Sequence, residues 1–227
     1  EDEEEVEVSI SLNNEEISES NGIFKFVLRP ILDEEVRPNH GTIGTRVLVS
    51  GTNFVLSDKI TCRFGLVETL ASYVNETLLE CFAPASTSDE NNVMISVSFN
   101  QVDFIYSGTF SYQEPIRVIE MQPVFGSISG GTPVVLSVSN NYDDGSNTRC
   151  MFGENIVQAI NVNSENVTCI TPSTQSKDIV LVRVTNNNED FVASPSYFRY
   201  TSQVQIHHIV PSSGDPRGDT RVLLFGT

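Results

Sequence analysis

The stretch Gly126-Ser127-Ile128-Ser129-Gly130-Gly131-Thr132-Pro133-Val134-Val135-Leu136 decides the fold, because versions of it stand at Gly41 to Val49 and at Gly214 to Leu224. Each copy has a proline first (Pro38, Pro123, Pro211), then a glycine-bearing turn, then a threonine that opens a strand (Thr45, Thr132, Thr220). Beyond the threonine the apolar residues alternate. Val47 and Val49, then Val134, Leu136 and Val138, then Val222 and Leu224 fall on one face, as a half-buried strand of period two requires. The chain is a repeat, and the repeat settles its architecture.

Working outward, Thr61-Cys62-Arg63-Phe64-Gly65 recurs as Arg149-Cys150-Met151-Phe152-Gly153, and Leu79-Glu80-Cys81-Phe82-Ala83-Pro84 recurs as Val167-Thr168-Cys169-Ile170-Thr171-Pro172. Each unit closes on a second alternating run. Val93, Ile95, Val97 and Phe99 lead to Asn100, Phe104 and Phe110-Ser111-Tyr112, and Val180, Val182 and Val184 lead to Asn187, Phe191 and Phe198-Arg199-Tyr200. The same closing pattern stands near the start, in Val6, Val8, Ile10, Leu12, Asn14, Ile17, Phe24 and Phe26. The expected organisation is therefore the closing part of one unit over residues 1–30, complete units over 31–113 and 114–201, and the opening part of another over 202–227. On this reading the chain is cut from something longer. Glu1 to Glu5 would be the polar loop before a penultimate strand, in the place of Ser88 to Asn92.

These motifs resemble the IPT/TIG domain, the immunoglobulin-like fold shared by plexins and some transcription factors. The particular form, with Cys-x-Phe-Gly, a second cysteine ahead of a proline and the late Asn…Phe…Phe-x-Tyr closure, is similar to the tandem units of very large cell-surface proteins, including those of algae and other protists. The resemblance implies an all-β fold of tandem immunoglobulin-like sandwiches. The short joins at Pro30-Ile31, Glu114-Pro115 and Ser202-Gln203 imply units stacked end to end as a rod. It implies no chemistry, because the family is a scaffold put to many uses.

Composition narrows the function. Against 30 acidic residues the chain has 13 basic ones, a net charge of −17, so it lacks the cationic surface with which proteins neutralise nucleic-acid phosphates. An acidic surface instead keeps a long secreted chain soluble and apart from its neighbours. No apolar window approaches the roughly twenty residues needed to cross a bilayer, so direct membrane insertion of this segment is not expected.

The four cysteines carry the clearest chemical signal. Cys62 and Cys81 are 19 positions apart, as are Cys150 and Cys169, each pair on two expected strands of one unit. Two disulfides within units are the natural assignment. Zinc is the competing reading, but two cysteines per unit with no histidine nearby do not make a closed tetrahedral shell. Disulfides imply an oxidising compartment. The sequons Asn75-Glu76-Thr77 and Asn166-Val167-Thr168, expected on exposed turns or edges, point to a eukaryotic secretory route and N-linked glycans.

Other motifs weigh less. Arg217-Gly218-Asp219 matches an integrin-recognised tripeptide, yet Gly218 and Asp219 fall where Gly130 and Gly131 stand, which makes them the repeat's own turn. Asp143-Asp144, Asp89-Glu90 and Glu189-Asp190 could donate oxygens to calcium, but none sits in a recognised calcium loop and solvated loop charge is the favoured reading. His40 belongs to a turn, and His207 and His208, being neighbours on a strand, point to opposite faces. The carboxylate pairs Glu34-Glu35 and Asp143-Asp144 are expected in loops. Glycines that precede a strand cannot cradle a phosphate at a helix start. No catalytic, metal or cofactor site is expected, and the protein is not expected to be an enzyme. Phe64, Phe152, Phe110, Tyr112, Phe198 and Tyr200 should fill the space between sheets. With no Trp, an aromatic platform for sugar is not evident.

Two functions follow. The first is a structural segment of a large extracellular protein, the shaft of an adhesin or of an appendage such as a flagellar hair (mastigoneme). Its partners would be further copies of the repeat in cis, itself, or other extracellular proteins. The second is the stalk of a plexin-like receptor. What flanks the segment, many more repeats or a head domain and membrane anchor, would separate them.

Overall fold

A computed structural model of the chain describes residues 4–18, 22–86, 91–141 and 145–226. Every regular element among them is a strand, in two compact units, Glu1–Gln113 and Glu114–Thr227.

The first unit opens with an antiparallel hairpin of β1 (Glu4–Val8) and β2 (Gly22–Phe26). A sandwich follows. One of its sheets runs β3 (Ile31–Arg37), β5 (Arg46–Thr52), β9 (Leu78–Phe82), β8 (Ser72–Asn75) in spatial order. The other runs β4 (His40–Gly41), β11 (Phe104–Tyr112), β10 (Asn92–Ser98), β6 (Thr61–Phe64), β7 (Val67–Leu70). Alternation does the burying. Val47 and Val49 on β5, Leu79 on β9, Cys62 on β6 and Ile95 and Val97 on β10 are all fully enclosed between the sheets.

The second unit repeats this plan with β12 (Arg117–Gln122), β13 (Phe125–Ser127), β14 (Pro133–Ser139), β15 (Arg149–Phe152), β16 (Asn155–Val162), β17 (Asn166–Ile170), β18 (Ile179–Thr185) and β19 (Val192–Thr201). Here the two sheets are joined. The first half of β16 pairs with β15 and its second half with β17, so one long strand crosses from sheet to sheet. In the first unit the same segment breaks into β7 and β8 at Ala71. Ala71 and Ala159 each donate their amide to the carbonyl just ahead of β6 or β15, Ile60 at 3.0 Å and Thr148 at 3.1 Å. A further hairpin of β20 (Ile206–Val210) and β21 (Leu223–Gly226) ends the described chain.

The repeated proline, glycine and threonine now have separate tasks. Pro38 and Pro123 stand where the first strand of each sandwich leaves one sheet and joins the other, β3 giving way to β4 and β12 to β13. Lacking an N–H, proline cannot continue the ladder it leaves. The bonds preceding Pro38, Pro123 and Pro211 are all cis. Next, Gly41, Gly126 and Gly214 lie flat against the side chains of Thr45, Thr132 and Thr220, leaving no room for a Cβ. Thr45 Oγ1 accepts from the Thr42 amide at 2.8 Å and Thr220 Oγ1 from the Asp215 amide at 3.2 Å, so the threonine ties off the turn.

At Gly126 an added methyl would also lie 2.8 Å from Cζ of the buried Phe198. Gly126→Ala is therefore expected to cost about 1–3 kcal/mol, as overpacking does. A urea-unfolding midpoint unchanged from wild type would show that this contact relaxes freely.

Several expectations change. The hairpin β1–β2 carries the closing pattern, but its Asx turn is built on Asn13 and not on Asn14. Asn13 Oδ1 accepts from the amides of Glu15 and Glu16, as Asn100 Oδ1 does from Val102 and Asp103 and Asn187 Oδ1 from Glu189 and Asp190. The residue after each has positive φ, Asn14 at 64°, Gln101 at 65° and Asn188 at 67°. Glu4 and Glu5 already belong to β1, while the other three residues of that acidic run lie outside the described residues. Val222 and Leu224 are not buried on one face. They are 47% and 61% exposed, since among the described residues β20 and β21 pair only with each other and no second sheet covers them.

Candidate functional site

The densest chemistry lies at the centre of each sandwich. Cys62 on β6 stands opposite Val97, and Cys81 on β9 stands opposite Val47 in the facing sheet. Both point inward, and their sulfurs are bonded across the core with the Cα atoms 6.3 Å apart. Cys150 on β15 and Cys169 on β17 form the equivalent bond, again at 6.3 Å between Cα atoms. All four are fully buried, so they are held from reagents as well as from each other's alternatives.

Aromatic rings pack around each bond. Phe64 meets Phe110 edge to face at 5.6 Å, and Phe110 meets Tyr112 at 5.1 Å. Phe152, Phe198 and Tyr200 repeat the set at 5.7 and 5.1 Å. Alternation explains the geometry: the first ring follows its cysteine by two residues and the others are two apart on the last strand, so all share the inward face. Tyr112 donates its hydroxyl to the Pro84 carbonyl at 2.8 Å, closing the end of the core. Burial raises the Tyr112 and Tyr200 phenols above the ordinary tyrosine range.

The sequons differ. Asn75 ends β8, an edge strand, and is exposed. Its Oδ1 accepts from both the amide and the hydroxyl of Thr77, each at 2.9 Å, which leaves the Asn75 amide nitrogen turned away from the turn. Asn166 is not on an exposed turn or edge. It begins β17, a strand flanked by β14 and β16, is half-buried, and accepts from the Ser137 hydroxyl at 3.3 Å.

The remaining candidates are not brought together. His40 lies in β4, its Nδ1 3.1 Å from Asn39 Oδ1. His207 and His208 lie in β20, where His208 stacks on Phe225 at 4.4 Å. Glu34 and Glu35 are in strand β3 and not in a loop, because a bulge between Leu32 and Val36 carries Asp33, Glu34 and Glu35 outward together. Asp190 is engaged by the Asn187 amide at 2.8 Å. The pairs Asp89-Glu90 and Asp143-Asp144 lie outside the described residues. Among the described residues no group of three or more His, Cys, Asp or Glu could hold a metal ion, and no helix is long and apolar enough to cross a membrane.

Gly218 and Asp219 hold φ of +95° and +65°, like Gly130 at +74° and Gly131 at +81°. Asp is among the few residues that accept this region. Arg217 is folded back onto Asp215, its Nε 3.1 Å from Oδ1 and Nη2 2.7 Å from Oδ2, and that contact holds the Asp215 carboxyl below its usual range.

Among the described residues of the second sandwich, two aromatics stand outside the core. Phe125 and Tyr197 are 60% and 61% exposed on the outer face of the β13–β19 sheet. Sequence reasoning passed over them, although the parity of Tyr197, out of step with Phe198 and Tyr200, already places it outside.

A family model described as IPT/TIG domain matches residues 34–113 and 117–200. Fibrocystin-L of Mus musculus is 23% identical over 201 residues, which is 86% of this chain and 5% of that protein. A structure of the full extracellular region of plexin A4 is 21% identical at a TM-score of 0.54, covering 88% of this chain and 18% of that one. The chain thus spans a small part of the proteins it is similar to.

Proposed function

Because this chain belongs to the IPT/TIG domain family, we propose that it is a non-catalytic structural segment of a large extracellular repeat protein. The observation that carries this reading is the pair of enclosed disulfides, one per sandwich, at the same strands and the same 6.3 Å spacing. Such bonds form and persist where the compartment is oxidising. The fold shared with the plexin A4 extracellular region agrees. The two units share one plan, and the chain covers only 5% of fibrocystin-L, which supports further units in cis in the shaft of a filament, an appendage such as a flagellar hair, or an adhesin. A plexin-like receptor stalk is the second reading, favoured by the same likeness to plexin A4.

Immunogold labelling of intact, unpermeabilised source cells with an antibody to this chain separates these. Gold along a projecting fibre supports the shaft, and gold confined to the cell membrane supports the stalk. Label seen only after permeabilisation overturns both.

Glycans enter the proposal at Asn75 first. Its exposed turn is open to the transferase and Asn166 is half-buried in a ladder. In material from a secreting eukaryotic cell, Asn75→Gln is expected to remove one glycan's mobility shift on a denaturing gel, and Asn166→Gln a smaller fraction. Equal loss from both would show that strand position does not control occupancy.

A further inference from the structure

One sheet of the second unit stands apart from the rest of this acidic chain. Its strands β13, β19, β18, β15 and the first half of β16 contain no Asp or Glu, yet they project Arg149, Arg183 and Arg199 outward. Among the described residues none of the three forms an ion pair, whereas Arg63 pairs with Glu68 at 2.8 Å, Arg217 with Asp215 at 2.7 Å, and Arg46 with Glu80. Beside Arg199 lie Phe125, Ile179 and Tyr197, each more than half exposed. With Arg199 they line a shallow groove of about 520 Å³.

The first unit holds different residues at the same positions. Phe125 faces Arg199 across the ladder as His40 faces Ser111, and Ile179 faces Arg199 as Asn92 faces Ser111. Tyr197, two residues before Arg199, matches Thr109. Where the first unit has histidine, serine, asparagine and threonine, the second has phenylalanine, arginine, isoleucine and tyrosine, gathered at one place. Tyrosine and arginine amid apolar surface is the composition of a protein interface core. Within the second unit the sequon asparagine Asn166 lies on β17, between β14 and β16 in the opposite sheet, so a glycan there leaves this face clear.

We propose that this face docks a second copy of the same chain, through the carboxylates that the copy exposes. Copies with a net charge of −17 repel one another everywhere except where a cationic face meets an acidic one. The longest described run of exposed carboxylates is Asp33, Glu34 and Glu35 on the β3 bulge. The cationic face belongs to the second unit and the acidic bulge to the first, so the contact joins two different surfaces of the two copies. The inference rests on the structural-segment reading and deepens it by naming how shafts lie against one another. A sulfated polysaccharide fits less well, since three arginines are few for a polyanion and Ile179 and Phe125 offer it nothing.

Sedimentation velocity on the full chain tests this at low and high salt, with Arg199→Glu, Tyr197→Ser and the double change Glu34→Lys and Glu35→Lys. All are surface positions, and an unchanged circular dichroism spectrum certifies each fold. Wild type is expected to associate with concentration, at least tenfold more weakly in high salt or in either face variant. Mixing Arg199→Glu with the Glu34→Lys, Glu35→Lys chain should recover association. Monomers throughout overturn the docking proposal, as does association indifferent to Arg199 and Tyr197, or retention on heparin by a wild type that stays monomeric. None of these alters where immunogold places the protein, so the two proposals fail separately.

Discussion

Phe198→Ala is expected to lower the unfolding free energy of the second unit by about 3–5 kcal/mol, the range for removing a large buried ring. The side chain is fully enclosed, meets Phe152 and Tyr200 edge to face at 5.7 and 5.1 Å, and rests against the backbone of Gly126. Its removal leaves a void bounded on one side by the disulfide-bearing strands, which cannot move in to fill it. Urea unfolding followed by far-ultraviolet circular dichroism measures the loss. The adjacent Tyr197→Ala is the internal control, expected within about 0.5 kcal/mol of wild type because that ring faces solvent. Equal effects at the two positions would show that the alternation along β19 is wrong.

Removing the disulfide of the same unit is the second large effect. Replacing Cys150 and Cys169 together by alanine should cost roughly 3 kcal/mol in the chain-entropy account, since the bond closes a loop of 19 positions in the unfolded chain. The Cys62–Cys81 bond closes a loop of the same length and should be worth a similar amount. Thermal unfolding of the oxidised protein, the reduced protein and the double-alanine variant is the measurement. If reduction leaves the midpoint where it was, the bonds hold a geometry that packing already imposes. Because both bonds are buried, reduction should proceed only as fast as the unit opens, so added denaturant should accelerate it.

Much of this was readable in advance. Inward residues such as Val47, Val134, Leu136, Phe64 and Phe152 are visible as strict alternation, and alternation is a local property of the extended backbone. The matched cysteine spacing marks two copies of one unit. What could not be read is whatever depends on a strand's neighbours. Asn75 and Asn166 both precede the second cysteine of their unit, by six and three positions, yet the first lies on an edge strand and the second in a ladder between two strands. Glu34 and Glu35 look like a loop, and become part of a strand because Leu32 and Val36 on either side are drawn into the core. Asn14 and Asn13 are equally good turn residues by composition, and hydrogen bonding selects Asn13.

By itself, then, the sequence determined the class of fold, the repeat, the inward face of each strand and the cysteines that face one another, because each follows from backbone period and residue type. Only the tertiary structure decided that the first strand of each sandwich changes sheets at Pro38 and Pro123, that β16 bridges two sheets where β7 and β8 part, and that three arginines with no ion pair among the described residues share one outer face with two aromatics. Those are relations between strands distant in the chain. Pairing and register bring such strands together, and no local period records which strand lies beside which.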